Sequence, residues 1–572
     1  MVMTVAQIPN RMHMIILSIK NYLSAFKLLK TSHYLMLFSI FVFSDAAFAL
    51  GSAQDNDYVR LLNQATFGAT PAEFDRIKSL TANGWLNEQF AKPQSKANWD
   101  AILALIAAND AGKLNTQSKF GDPDSGRQFM VGHLWERYIS ADDQLRQRVA
   151  AALLEIFVMN SKITMLTDTR RLGAYYVDLL EKNAFGNFRT LLEDVSKSPA
   201  MGYYLTFINN RGAKYDSAGN PIVIPDENYA REIMQLFTIG LYQLKNNGTL
   251  KLVNGHPVET YTQDDIFNLA RVFTGWRKDI NFSSVDSNGH PMVAVGQYHS
   301  REQKAFLGIV IPAGTNATDS LKIALDTLFN HPNVGPFIGK QLIQRLVTSN
   351  PTSAYVNRVA NVFNDNGNGI RGDMKSVIKA ILLDPEANPN TSVVSPTKWG
   401  KMREPMMRLT AVSRLLGLKY SNPDKVYPIG DLTKIGNGIG QTPLKSPSVF
   451  NFFRPGYVPP DFANLKVKFV APEFQIITGT SIPASLNFIN NFIDKAEQDF
   501  SIENKTTLLT QAQNTGQLVN FLNFYLTANT MSQENINEIV AQVNKIPATD
   551  LWARAKAALQ MVSCSPSFLT EQ

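Results

Sequence analysis

The chain has one cysteine, Cys564, in 572 residues. A single thiol closes no intramolecular disulfide and supplies no Cys-based metal site, so the fold has to be held by its core. Histidine is scarce as well. Of seven, His13 and His33 fall in the first 49 residues, which leaves His133, His256, His290, His299 and His331. None of these five stands three or four residues from another, so a His-rich metal centre would have to be assembled from distant segments. There is no G-x-S-x-G elbow, no H-E-x-x-H and no Walker loop. Lysine and arginine form no block, and a net charge of +7 is a mild excess on so long a chain, which argues against a nucleic-acid footprint. Beyond the N-terminal segment no apolar run is long enough to span a membrane.

What is present is an ordinary globular composition, 44% hydrophobic and 18% charged, with ample length for a large core. Length alone suggests two to four domains. The N-terminus reads as an export signal: Lys27 and Lys30 precede the apolar run 34–43, and Ala47-Phe48-Ala49 is an A-x-A cleavage site. Residues 1–49 are therefore expected to be removed, leaving a periplasmic or secreted chain with no integral membrane segment. The long leader before Lys27 points to a true start at Met12 or Met14.

The dominant period is 3.6. The stretch 225–240, PDENYAREIMQLFTIG, splits into two helical faces, with Tyr229, Ala230, Ile233, Met234, Leu236 and Phe237 on one arc. Glu227, Asn228, Arg231, Glu232 and Gln235 fill the other, giving i,i+4 pairs Glu227–Arg231 and Asn228–Glu232, and Gly240 stands where a left-handed C-cap belongs. Further helices are expected over 57–67, 101–111, 129–140, 142–160, 170–181, 188–197, 320–330, 334–347, 354–364, 373–383, 401–416, 473–478, 485–492, 517–525, 533–543 and 550–562. Thr70 reads as an N-cap with Pro71 at N1 and Glu73 closing a capping box, and Thr262 with Asp265 as a similar start for a helix ending at Gly275-Trp276. Asn247-Gly248 and Asn254-Gly255 within 246–259 suggest a small hairpin, with short strands near 293–298 and 304–307. Residues 113–126 and 209–224 are polar loops, and no linker separates domains.

Several stretches taken together carry a resemblance: RLLNQATFGATPAEF at 60–74, NAFGNF at 183–188, PDENYARE at 225–232, YTQDDI at 261–266, LARVFTGW at 269–276, KAFLG at 304–308 and SPSVFNFFRPGY at 446–457. The chain resembles the exported bacterial proteins of domain-of-unknown-function family 1800, over nearly the whole of residues 57–572. The resemblance implies a mainly α fold, one large multi-helix domain over 50–572 with a small β-hairpin or short strands. It also implies a companion exported protein with an alkaline-phosphatase-like fold (DUF1501-like), and it supplies no reaction or cofactor. Some members carry a Trp-His-Asn-His run where this chain has Leu153, Leu154, Glu155 and Ile156, and many carry His-Asp where it has His299-Ser300. A metal role at those positions does not carry over.

Three functional readings follow. The first is a binding or accessory protein of the envelope acting with the companion, with Glu227, Asn228, Trp276, His299 and Arg454 as binding residues. The second is a hydrolase with Glu232 as acid/base and Arg231 as a clamp, weighed against a buried ion-pair network pinning the same helix. The third is a calcium-dependent structural protein. Its loop, NDNGNGIRGD at 364–373, places Asn364, Asn366 and Asn368 like calcium ligands but has Lys375 where a bidentate Glu is required, so a glycine-rich turn with Asp373 as N-cap is the commoner reading. The aromatics Phe450, Phe452, Phe453 and Tyr457 with Arg454 form either a binding wall or the anchors of a long loop.

Overall fold

Helical periodicity governs most of the chain in the computed structural model, which describes residues 51–112, 128–160, 169–388, 399–420, 422, 427–460 and 469–571. The expected leader and the whole of the 113–126 loop lie outside these residues. Among the described residues there are 21 α-helices, and the strands form only two-stranded antiparallel ribbons, six in number. The fold is thus mainly α, as expected. No helix among the described residues is long and apolar enough to cross a membrane.

Buried apolar side chains form one continuous cluster running from Tyr58 to Phe568. In its middle the Gln144–Ile156 helix packs on Thr169–Asn183 and on Val334–Leu346, which in turn packs on Ser353–Asn364. Toward the C-terminal side the Thr515–Thr527 helix lies against Leu551–Ser563, and the early helix Ala53–Ala65 also packs on it. Phe67 stacks on Tyr138 with ring centroids 4.1 Å apart, and Phe207 stacks on Tyr229 at the same distance. Such pairs are worth about 0.5–1.5 kcal/mol beyond their buried area.

The central helix is shorter than its sequence pattern suggested. It spans Asn228–Gln235, with Leu236 as its C-cap. Thr238 Oγ1 donates to the Ile233 carbonyl at 2.5 Å, and the amides of Ile239 and Gly240 both reach the Met234 carbonyl, so a turn replaces the last helical residues. Gly240 is left-handed at φ 71°, but beyond that turn. The apolar arc is as expected: Tyr229, Ala230, Ile233 and Met234 are fully buried.

Other local expectations resolve by chemistry. Thr70 caps its helix through the Glu73 amide, but the Glu73 carboxylate accepts from Trp85 Nε1 at 2.7 Å, so the box stays half made. Thr262 and Asp265 form both halves of theirs. The 401–416 stretch is a strand, Lys401–Met402, followed by the helix Pro405–Leu416, because Pro405 drives Glu404 before it into extended backbone. The 473–478 stretch is a single 3-10 turn, Pro472–Gln475. The hairpin forms with Leu252–Val253 paired to His256–Pro257 across Asn254-Gly255, both left-handed, as the tight turn requires. Bridges Leu244↔Leu250 and Tyr242↔Glu259 extend it into a three-run ribbon. Asn333 fastens this ribbon to the Val334–Leu346 helix, accepting from the Leu244 amide at 2.9 Å and donating to the Tyr242 carbonyl at 2.9 Å. In the 364–373 loop, Asp365 and Asn366 accept backbone amides, Asn364 Oδ1 accepts from Arg371, and Asp373 caps the Met374–Leu382 helix.

Candidate functional site

The polar face of the central helix is half-buried. Arg231 Nη2 lies 3.5 Å from Glu227 Oε2, and Gln263 joins both: its Nε2 donates to Glu227 at 2.7 Å and its Oε1 accepts from Arg231 at 3.4 Å. Asn228 turns away from Glu232 and donates to Thr206 Oγ1 at 3.4 Å. Glu232 is the buried member, with Oε2 lacking any donor; burial raises its pKa and Arg231 lowers it, the net direction being up. The Arg231 side chain keeps 40% of its exposure. Arg231→Met is therefore expected to cost less than about 1 kcal/mol in denaturant unfolding. A loss of about 3–5 kcal/mol would show a desolvated pair instead.

Asn210 links the start of this helix to the next family motif. It exchanges hydrogen bonds with the Asp226 backbone and accepts from the Gly275 amide at 2.8 Å. Beside Gly275, Trp276 is buried, and its Nε1 donates to the Val272 carbonyl at 3.4 Å. His299 is buried between the Thr274 carbonyl, 2.9 Å from Nδ1, and Ser320 Oγ, 3.2 Å from Nε2. Burial pushes it down to about 4, so it is neutral at pH 7 and staples the Gly275 turn to the Ala317–Asn330 helix. Arg454 is exposed, its guanidinium 4.3 Å from the Phe450 ring centroid. Neither of the two clefts described for this structure is lined by Glu227, Asn228, Arg231, Glu232, Trp276, His299 or Arg454.

A different constellation lies at the centre. Glu155, near the end of the Gln144–Ile156 helix, faces Glu404, the N-cap of the Pro405–Leu416 helix. Lys401 Nζ stands 3.7 Å from Glu404 Oε1 and 3.8 Å from Glu473 Oε1, and donates to the Arg345 carbonyl at 2.7 Å. Arg345 Nε lies 3.1 Å from Glu155 Oε2 without meeting hydrogen-bond geometry, and its guanidinium sits 4.4 Å from the ring centroid of the buried Phe453. Gln441 donates to Glu404 Oε2 at 2.6 Å and accepts from the Met406 amide at 3.1 Å. Burial, then the neighbouring Glu404, push Glu155 up to about 8. Burial opposes ionisation of Glu404 too, but Lys401 and the hydrogen bond from Glu155 hold it below the usual carboxylate range. Burial raises Glu473 to about 7 against the pull of Lys401. At neutral pH the facing pair holds one proton, because two buried carboxylates in contact cannot both ionise.

Beside Glu155 lies a small cleft. Leu154, Met159, Met406, Leu444 and Phe452 make its apolar wall, and Glu155, Gln441, Ser446 and Asn451 its polar groups. Leu444 and Asn451 are both left-handed, at φ 61°. Ser446 Oγ, beside the Tyr204 hydroxyl, is buried and meets no hydrogen-bond geometry. A proton-holding carboxyl at the end of so small an apolar slot can donate to, or accept from, a water-sized group. The sequence reading passed over this group. Its members come from five separate segments, and the available signal was one acid, Glu155, inside an apolar helix stripe.

Among the described residues no group of three or more His, Cys, Asp or Glu side chains is arranged to hold a metal ion. No curated protein and no solved structure matches the chain. A family model does, over residues 60–570, which takes in every motif above, and the chain belongs to that family, described as protein of unknown function DUF1800.

Proposed function

We propose that this is an exported binding or accessory protein of the cell envelope, working from about Leu50 onward as one domain and docking on the companion exported protein with the alkaline-phosphatase-like fold. The observation that carries the reading is the 241–259 ribbon. Leu252 and Val253 are 57% and 61% exposed, and Leu241, Tyr242 and Leu250 are exposed beside them. Leu250 and Leu252 lie two residues apart, on one face of a ribbon that Asn333 fastens to the body, and exposed apolar side chains placed so are what a protein partner buries. The A-x-A site supports export, and the continuous apolar core supports one domain.

The test is direct. The chain recovered from envelope fractions is expected to begin at about Leu50 and to co-sediment with the companion, and Leu252→Ser with Val253→Ser is expected to weaken that association at least about tenfold, the loss of roughly 1.4 kcal/mol. An N-terminal sequence starting at Met1 or Met12 would remove export, and equal sedimentation of the two components alone and mixed would remove the partner. The hydrolase reading keeps one support, the donorless buried oxygen of Glu232. Against it, Arg231 is occupied by Glu227 and Gln263.

A further inference from the structure

We propose that residues 442–457 are a proton-held lid over the Glu155 cleft. The segment has no regular secondary structure. Part of what holds it lies away from the acid pair: Thr442 Oγ1 accepts from the Leu432 amide at 2.7 Å, Lys445 Nζ stands 3.5 Å from Asp431 Oδ2, and the backbone of Arg454 and Tyr457 bonds to Gln475 and Ala471. The remaining pins lead to the acid pair and the helices that carry it. Gln441, at its start, is bonded to Glu404. Asn160 donates to the Ser446 carbonyl at 2.5 Å, and Asn451 Nδ2 to the Glu155 carbonyl at 3.4 Å. Phe453 is clamped under Arg345, and Gln344 donates to the Pro455 carbonyl at 3.1 Å. Two non-glycine residues in the left-handed region, Leu444 and Asn451, are conformations that persist only while such surroundings hold them.

The charged groups around Glu155 define what happens when its proton leaves. Arg345 and Arg148 approach it from the Val334–Leu346 helix and from its own helix; Glu404, Lys401 and Arg408 lie on the side of the Pro405–Leu416 helix; Glu473 closes the far side; the Tyr138 hydroxyl is driven upward by burial and stays neutral. Glu155 Oε2 and Glu404 Oε1 both lack a hydrogen-bond donor. With the proton gone, two carboxylates face each other; Glu155 lines the cleft, and Thr442, Leu444, Ser446, Asn451 and Phe452 of the lid supply its wall. Relief comes by moving the lid.

The sign follows from linkage. Glu155 binds its proton more tightly in the closed state than in an opened or unfolded one, so its contribution is complete below the ordinary glutamate range and is lost as pH rises through about 8. Glu473, raised to about 7, acts in the same direction. Glu404 is lowered and acts oppositely, its contribution being lost only as pH falls below the usual carboxylate range.

Amide hydrogen exchange on the intact mature protein, corrected for the intrinsic rate, reads the lid. Protection across 442–457 is expected to fall about tenfold between pH 7 and pH 9, while the 228–235 helix stays level. Glu155→Gln, which keeps the shape and cannot ionise, is expected to hold its protection at pH 9. Equal protection of the wild type at the two pH values, or an equal loss in Glu155→Gln, would overturn the lid. Where that variant fails to fold, Glu404→Gln decides. Its amide oxygen still accepts from Gln441, and without the facing charge the opening midpoint is expected to move below pH 8; an unmoved midpoint overturns the proposal.

Discussion

Lys401→Met is expected to lose about 3–5 kcal/mol of unfolding free energy at pH 7, the cost of stranding a buried charge whose partner is removed. Lys401 is almost wholly buried, as are Glu404 and Glu473 on either side of it. Glu404 is the residue left exposed to the cost, because it is the carboxylate that the cluster keeps ionised. The lost bond to the Arg345 carbonyl, at the end of its helix, adds to it. Adding Glu404→Gln to Lys401→Met is expected to recover part of the loss, since one orphan charge disappears. Urea unfolding of the single and double variants checks both statements. A single-variant loss below about 1 kcal/mol would mean that water reaches the cluster freely.

Gly68→Ala is expected to cost about 2–6 kcal/mol, roughly 1–3 for the backbone and about 1–3 for overpacking. Gly68 has φ 137°, and a Cβ built on it would lie 2.5 Å from the Ala411 Cα. That neighbour is helix backbone and cannot swing aside. Arg414, one turn further along the same helix, donates to the Gly68 carbonyl at 2.8 Å, so the two segments are held together where the methyl would push them apart. Gly255→Ala is the control. It is also left-handed, at φ 81°, but has nothing within 4 Å of the added methyl, and about 1–2 kcal/mol is expected. Similar losses at the two positions would mean that backbone conformation alone, not helix contact, sets the cost at Gly68.

These two sites mark what the sequence made legible. The helix before Gly68 was visible because local chain geometry is written locally; that Gly68 lets the Pro405–Leu416 helix approach was not, because the other half of the contact lies far along the chain. The helical class, the apolar arc of Tyr229, Ile233 and Met234, the Thr262–Asp265 box and the Asn254-Gly255 hairpin were readable for the same reason. Helix ends moved where a side chain outbid the backbone, as Thr238 does after the central helix. The central helix drew attention through its charges at i,i+4 spacing, yet Arg231 is only half-buried there. The acid cluster carries no spacing at all. Glu155, Arg345, Lys401, Glu404 and Glu473 meet only through tertiary packing, and a glutamate among leucines was the single local trace.

The strand Thr570–Glu571 pairs with Lys401–Met402, the strand that carries Lys401 into the cluster, and Glu571 lies 3.3 Å from Arg403 in the same turn of chain. The two strands lie far apart in sequence, so pairing them closes a very long loop. Contacts of that kind are expected to form late in folding, and Lys401 is therefore seated between its carboxylates among the last steps of collapse.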